Sequence, residues 1–461
     1  MQNLDPHIFR AYDIRGTVPA QLNEEAFRLI GQAFGSLLRE RYAVEHPTVA
    51  VGRDMRTHSP AFEAALTEGL MSTGCRVLLI GQTPSPVNYF TICSRKLDAG
   101  IQITASHNEP EFNGAKLQVR EAEAFSGDDL QTLRSRIETG DFLIGEGTQE
   151  EIDTITPYKE RMLTMFGGIG KGLHIAIDNG NGVTGPVYNT ILKELGFELT
   201  ELYAEPDGTF PNHLADPSQH KTLKELTKTV PDTGVHCGIA FDGDGDRVGF
   251  VDEQGAIRSA DDILLLLAQD HLQRHPGAPI VFTVSNSSTL ETEIAQWGGK
   301  PVMCIVGHSF VEHAMREHNA LLGGEQSGHF FCGEDYFPYD DAFVAALRVL
   351  KICSQERKPF SQLFDAFPKV YQVPELRPHC PDEKKTDVVK RIVKHFQQEG
   401  YPVNTLDGAR IDFGSGAWAG IRQSNTAPRL SVCMEARSKE QLQEVENIVL
   451  AHLKTYPDIR L

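Results

Sequence analysis

Apolar residues Phe27, Ile30, Phe34, Leu37 and Leu38 recur at the three-and-four spacing of a helix, which predicts one over 24–41. A short apolar run predicts a strand at 48–51. A second helix over 59–73 is followed by an apolar run at 77–80. Residues 100–103 then predict a strand that runs directly into the polar stretch TASHNEPEFNG. The turn-rich, acidic TGDFLIGEGTQEE closes this block near residue 150. A second block has a helix over 157–166, the glycine break GGIGKG, a strand at 173–177, the turn DNGNG, a helix ending at 195 and a strand at 238–241. A third alternates helix 261–272, strand 280–284, helix 289–297, strand 302–306 and helix 310–318.

Helix and strand alternating in this way predict an α/β fold with parallel sheets. From about Val370 the rhythm changes to one amphipathic helix over 384–396, strands at 409–413, 418–422 and 430–434, and a last helix from Lys439. That pattern is an α+β tail. Dividing 461 residues by the roughly 150 of a typical domain gives three domains, and the change of rhythm makes four. The expected boundaries are 1–150, 151–255, 256–368 and 369–461. No close repeat is present. Each of the first three blocks nevertheless sends a strand into a polar loop bearing glycine or serine, which suggests one unit used three times.

Composition narrows the class. Hydrophobic residues make up 40% and charged residues 23%, with 41 glycines and 25 prolines spread along the chain, so collagen-like and disordered readings fail. The balance of 44 basic against 63 acidic residues gives −19, a field that repels polyanions, and no basic stripe offsets it. No nucleic-acid partner is expected. The longest apolar runs, such as 263–268, fall far short of the roughly 18 residues of a membrane span. The N-terminal MQNLDPHIFRAYDIRG lacks the apolar core of a signal peptide. The expectation is a cytoplasmic protein with no membrane partner, its state open between monomer and dimer. Eight cysteines with no CxxC pair, mostly in apolar runs such as VMCIV, read as reduced thiols.

The most informative segment is IAFDGDGDRVGFVDEQG. Asp242, Asp244 and Asp246 alternate with glycines that let the backbone curl and bring three carboxylates onto one cation, and hard oxygen donors favour Mg²⁺. An EF-hand spacing ending at Glu253 fails on context. Its sixth position is Arg247 where the turn needs glycine, and both flanks are β-rich. Three solvated acids in a turn is the plain alternative. Arg247 beside the acids suits a phosphate ligand. In ITASHNEPEFNGAKL, Ser106 leaves a strand, with Lys116 ten residues on across an FNG turn. A serine there suits a nucleophile, a phosphoryl carrier or the cap of a turn, and the chain has no G-x-S-x-G elbow for acyl transfer.

LLGGEQSGHF offers Glu325, Ser327 and His329 to hydrogen-bond a polyol such as a sugar, or forms a tight turn. IRQSNTAPRL offers Arg422, Ser424, Asn425 and Thr426 with their backbone N–H groups as a phosphate cradle, or an Asn-Thr turn stopped by Pro428. FRAYDIRG supplies Arg10, Tyr12 and Arg15. DNGNGVTG has neither a G-K-[ST] ending nor G-x-G-x-x-G and reads as a strand-to-helix turn. His308, His313 and His318 are spaced by five, about 140° apart on a helix, so one face cannot hold all three. His308 alone follows a strand and a glycine.

TASHN, DGDGDR, GGEQSGH and RQSNT in this order resemble the four signature loops of the α-D-phosphohexomutase family, nearest its bacterial phosphomannomutase/phosphoglucomutase branch. The likeness spans nearly the whole chain, from FRAYDIRG to the DGARIDF and RQSNTAPRLSV tail. It implies a heart-shaped, four-domain architecture of three similar α/β domains and a C-terminal α+β domain, each contributing one loop. It further implies that Ser106 is the phosphoserine, with Asp242, Asp244, Asp246 and a phosphate oxygen on Ser106 holding Mg²⁺. Lys116 and His329 would transfer protons. Arg15, Arg247 and His308 would assist around the reacting phosphate. Glu325 and Ser327 would read sugar hydroxyls, with Tyr12 beside them. Arg422, Ser424, Asn425 and Thr426 would grip the non-reacting phosphate.

The reaction implied converts a hexose 1-phosphate and its 6-phosphate into one another through a hexose 1,6-bisphosphate, the sugar being mannose, glucose or both. GEQSGH also occurs in phosphoglucosamine mutases, so glucosamine stays open. A different class, a Mg²⁺-dependent sugar phosphatase with Asp242 as aspartyl nucleophile, uses the same D-x-D pattern. A non-catalytic sugar-phosphate sensor is a third reading.

Overall fold

The computed structural model describes residues 4–424 and 428–460. They form two compact units. One runs to Leu267 and adds Ser327–Asp365; the other joins Ala268–Gln326 to the segment from Ala366 onward.

In the first unit, the helix Glu24–Tyr42 begins at Asn23, whose side chain accepts the Ala26 N–H at 2.9 Å, and Glu24 and Glu25 face the positive end of its dipole. It buries Phe27, Ile30, Phe34 and Leu38 against the helix Ser59–Ser72 and the sheet beneath. The two helices touch through glycine. A Cβ on Gly69 would stand 2.1 Å from the Arg28 carbonyl oxygen, and one on Gly31 2.4 Å from that of Leu66. The sheet below them runs in the order Ile14–Thr17, Phe112–Val119, Ala99–Ile103, Thr48–Arg53, Arg76–Gln82 and Thr148–Glu151. Its last four strands are parallel, whereas Phe112–Val119 runs antiparallel to Ala99–Ile103 and to Ile14–Thr17. That register sets Lys116 opposite Gln102 and Arg15 opposite Gly114.

A second sheet in the same unit has the order Ile257–Arg258, Val248–Asp252, Cys237–Phe241, His174–Asp178 and Glu198–Leu202. Cys237–Phe241 and Val248–Asp252 form an antiparallel hairpin, and the DGDGDR segment is its turn. In the second unit, Pro279–Thr283 lies between Lys300–Cys304 and Leu322–Gly324 and is parallel to both. An antiparallel sheet follows in the order Tyr371–Gln372, Leu430–Ala436, Ala417–Gln423, Ala409–Gly414 and Val403–Asn404. The helices Asp382–Gln398 and Lys439–Leu453 share its core through Val388, Ile392, Phe396, Val445 and Val449.

The structure corrects several elements. Phe112–Val119 is a strand where the sequence suggests a loop across a turn. Its apolar set Ala115, Leu117 and Val119 alternates with the polar residues Lys116 and Gln118, a period-two strand signal that the reading of the FNG turn passes over. The helices Ser85–Arg95 and Asp128–Thr139 also go unread. After DNGNG the chain makes a π-helical turn, Gly185–Asn189, and one short helix, Thr190–Glu194. His308 opens the helix His308–His318 rather than preceding it. Among the described residues no helix is long and apolar enough to cross a membrane.

Candidate active site

Ser106 sits just past the C-terminal end of Ala99–Ile103, buried, with φ at 49°, a left-handed conformation that costs a serine about 1 kcal/mol or more. Its N–H donates to Thr104 Oγ1 at 2.9 Å, and its Oγ donates to Asp242 Oδ2 at 2.7 Å. His107 Nδ1 lies 3.0 Å from the same hydroxyl, and burial with the nearby Arg247 charge holds that imidazole well below the ordinary histidine range.

The hairpin turn is built on Asp242. Its Oδ1 accepts the N–H groups of Gly245, Asp246 and Arg247 at 3.0–3.1 Å, which leaves Oδ2 facing Ser106. Gly245 has φ of +79°. Gly243 passes so close to the serine that a Cβ there would meet the Ser106 carbonyl oxygen at 2.4 Å. Asp244 Oδ2 accepts from Ser85 Oγ at 2.5 Å and from Lys116 Nζ at 2.6 Å, and Lys116 also binds Asp246 Oδ2.

Charge in this cluster is nearly water-free. Burial and the charges of Asp246 and Asp244 push the Asp242 carboxyl well above the ordinary range. Burial raises Asp246 as well, but Lys116, His329 and Arg247 outweigh it and hold that carboxyl below the ordinary range. Lys116 loses hydration by burial, yet Asp244 and Asp246 keep it charged well above the usual lysine value. Arg247 is raised in the same way, burial being overcome by Asp242, Asp246 and Asp216, with Tyr12 contributing.

The three aspartates each offer an oxygen within 4.8 Å of the others, and Asp244 Oδ1 and Asp246 Oδ1 have no hydrogen-bond partner. Buried hard oxygens left unsatisfied fit a divalent cation. Asp246, His329 and Asp340 form a second close group, but it is engaged otherwise. Arg247 Nε donates to His329 Nε2 at 2.9 Å, and His329 Nδ1 lies 2.8 Å from Asp340 Oδ2. A guanidinium nitrogen only donates, so Nε2 is the acceptor of that bond. Glu253, which completes the EF-hand spacing, binds the Ser361 hydroxyl at 2.5 Å and its N–H at 2.9 Å instead.

Arg15, buried on Ile14–Thr17, donates to Asn108 Oδ1 at 2.6 Å and to Asp13 Oδ2 at 2.5 Å. The first unit thus gathers Ser106, Lys116, Asp242, Asp244, Asp246, Arg247, His329 and Arg15. Ser327, half-buried, is also in this unit. His308 and Glu325 belong to the second unit, where Glu325 Oε1 accepts the N–H of Gly307, the residue before His308, at 2.8 Å. Arg422 and Ser424 stand at the end of Ala417–Gln423. Arg422 donates to the Gln423 carbonyl at 3.1 Å, and the Ser424 carbonyl accepts from Lys385 Nζ at 2.8 Å. Asn425 and Thr426 lie outside the described residues.

Sequence reading misses Arg56, Ser85 and Asp340. Arg56 and Ser85 each follow a strand of the first sheet closely, at 48–53 and 76–82, which is the one signal available.

Four family models match the chain in order: the α/β/α domains I, II and III of phosphoglucomutase/phosphomannomutase over 6–143, 164–255 and 259–371, and the C-terminal domain over 375–452. This chain belongs to the phosphoglucomutase/phosphomannomutase family. A phosphomannomutase/phosphoglucomutase of Pseudomonas aeruginosa is 38% identical over 451 residues, covering 98% of this chain and 96% of the relative. A phosphoglucomutase of Neisseria gonorrhoeae is 34% identical over 463 residues, covering 100% and 99%. A crystal structure of a family member from Burkholderia thailandensis superposes with a TM-score of 0.92 at 35% identity, covering 100% of both chains. The chain is accordingly a four-domain α/β phosphohexomutase, an isomerase.

Proposed function

We propose that this enzyme converts mannose and/or glucose 1-phosphate and the corresponding 6-phosphate into one another through a phosphoserine at Ser106 and a hexose 1,6-bisphosphate. One observation carries the reading: a buried serine hydroxyl donates at 2.7 Å to Asp242, the first of three buried aspartates. The aspartyl-nucleophile alternative is disfavoured by the same geometry, because three backbone N–H groups and Ser106 occupy both Asp242 oxygens.

In the forward step the bond between Ser106 Oγ and phosphorus breaks as one forms to a sugar hydroxyl oxygen. The hydroxyl proton leaves to a protein base, and a proton is delivered to the departing Ser106 Oγ. The bisphosphate then turns end for end, and its other phosphoryl group returns to Ser106 Oγ, whose proton leaves to a protein base while a proton is delivered to the sugar oxygen left behind. Lys116 and His329 are the groups assigned to these protons. His329, with Nδ1 2.8 Å from Asp340 Oδ2 and Nε2 accepting from Arg247, supports a base role, and the paired Lys116 ammonium supports an acid role. Arg15, Arg247 and His308 offset charge at the reacting phosphate, where phosphoryl transfer depends on positioning and neutralisation. Asp242, Asp244 and Asp246 would hold Mg²⁺ with an oxygen of the Ser106 phosphate, and the ion supplies Lewis-acid neutralisation there. Glu325, Ser327 and Tyr12 contact the sugar, and Arg422 and Ser424 grip the distal phosphate together with Asn425 and Thr426.

The test is intact mass before and after incubation with a hexose 1,6-bisphosphate, followed by phosphopeptide mapping. One phosphate on Ser106, absent from a folded and inactive Ser106→Ala variant, is expected. A stable phosphate on another residue overturns the assignment. Comparing mannose, glucose and glucosamine phosphates then fixes the sugar.

A further inference from the structure

Arg56 is among the most deeply buried large side chains of the protein, 1% exposed, and lies outside the groups just described. It follows the strand Thr48–Arg53 and precedes the helix Ser59–Ser72. Every donor of its guanidinium is used. Nε donates to Asp54 Oδ2 at 3.1 Å. Nη1 donates to the carbonyls of Glu109 and Phe112 at 2.7 and 2.9 Å, and Nη2 to those of Ser106 and Asn108 at 3.0 and 2.7 Å. Five N–H groups is the full complement of an arginine.

Four of those five acceptors are carbonyls of 106–112, the polar segment between two strands and the first residue of the second. A buried backbone carbonyl must find a donor. Here one side chain supplies the buried Ser106 carbonyl and three part-buried ones, which no other residue type could do from a single position. The anchor is itself fixed: Asp54 Oδ1 accepts the Arg56 N–H at 2.9 Å and the Ser59 hydroxyl at 2.7 Å, and the Asp54 N–H donates to the Ile103 carbonyl at 2.9 Å.

With its N–H on Thr104 and its carbonyl on Arg56, Ser106 is held on both sides in the left-handed conformation that turns its Oγ toward Asp242. We propose that Arg56 is a positioning residue, a five-bond clamp that presents the phosphoryl-carrying serine. The inference rests on Ser106 being that carrier. It assigns Arg56 no contact with substrate.

The experiment uses the full-length enzyme carrying Arg56→Lys, which keeps the charge but has one short ammonium in place of the fork. A displacement near 1 Å away from the chemistry costs on the order of 100-fold in rate. The expected result is a kcat lowered about that much in both directions with KM within about threefold, and phosphorylation of Ser106 by hexose 1,6-bisphosphate slowed in proportion. A merely structural role lowers the melting temperature without that split. Ser59→Ala, which removes the bond to Asp54 and one accepted from Asn113 Nδ2 but keeps the clamp, gives a smaller kcat loss of the same kind and serves if Arg56→Lys does not fold. A folded Arg56→Lys with wild-type kcat overturns the proposal, as does a wild-type kcat in Ser59→Ala if Arg56→Lys is unfolded, or a loss confined to KM. Phosphopeptide mapping of the wild type reports separately on the Ser106 reading: a label elsewhere refutes that reading whatever Arg56 does.

Discussion

Lys116→Met tests whether the acidic cluster depends on this one cation. The lysine side chain is 5% exposed and both partner carboxylates are wholly buried, so the pairs with Asp244 and Asp246 form without water. Methionine nearly matches the volume of the chain but carries no charge. Removing one partner of such a buried set leaves an uncompensated charge, worth about 3–5 kcal/mol in measured cases. At about 2–4 °C per kcal/mol for domains of this size class, the melting temperature should drop by roughly 6–20 °C. A divalent cation that binds only the folded form adds RT ln(1 + [L]/Kd), about 2.7 kcal/mol at a hundredfold excess over Kd. The variant has lost the ammonium that competes for these oxygens, so Mg²⁺ should raise its melting temperature more than that of the wild type. Melting curves by circular dichroism in EDTA and in excess Mg²⁺ make the comparison. A variant melting within about 1 °C of the wild type in EDTA refutes the reasoning.

Asp244→Asn removes a charge from the same site and should lower kcat by orders of magnitude, with EDTA stopping the wild type and Mg²⁺ restoring it in steady-state assays. Arg422→Ala should lower kcat/KM for both the 1-phosphate and the 6-phosphate by roughly ten- to several-hundred-fold, since a charged hydrogen bond is worth about 1.5–3 kcal/mol; unchanged kinetics in both directions exclude a grip on the phosphate. Asp341 caps the helix Ala342–Glu356 and binds the hydroxyls of Tyr158 and Tyr336, yet burial pushes its carboxyl up to about 6. A raised carboxyl binds its proton more tightly when folded, so its contribution is full below the unfolded value near 4 and is lost as pH rises through about 6. Asp341→Asn keeps an acceptor for the cap, and denaturant titrations should show it gaining on the wild type by up to about 3 kcal/mol between those limits.

Much of the architecture was legible because it is local. The helix Glu24–Tyr42 announces itself through Phe27, Ile30, Phe34 and Leu38, and Cys237–Phe241 through a continuous apolar run. The DGDGD segment could be read as a carboxylate site because alternating glycines constrain a turn wherever they occur, and four loops in one order identified the family. Residue type and near spacing carry all of that.

The tertiary structure decided which groups meet. Ser106 and Asp242 are 136 positions apart, Lys116 and Asp244 128, and Arg247 and His329 82. Nothing in the periodicity of either segment encodes such a pairing. Lys116 needed the unread strand Phe112–Val119, which aims it at Asp244 and Asp246; the alternation of 115–119 marks a strand but does not say that its lysine is buried against acids from a distant hairpin. Arg56 was invisible for a related reason: its partners are backbone carbonyls, which every residue possesses, so no side-chain motif records them. Chain composition and local pattern determined the elements and the chemistry available. Burial, which removes water from three carboxylates and makes each remaining cation indispensable, arose only when the strands and loops packed together.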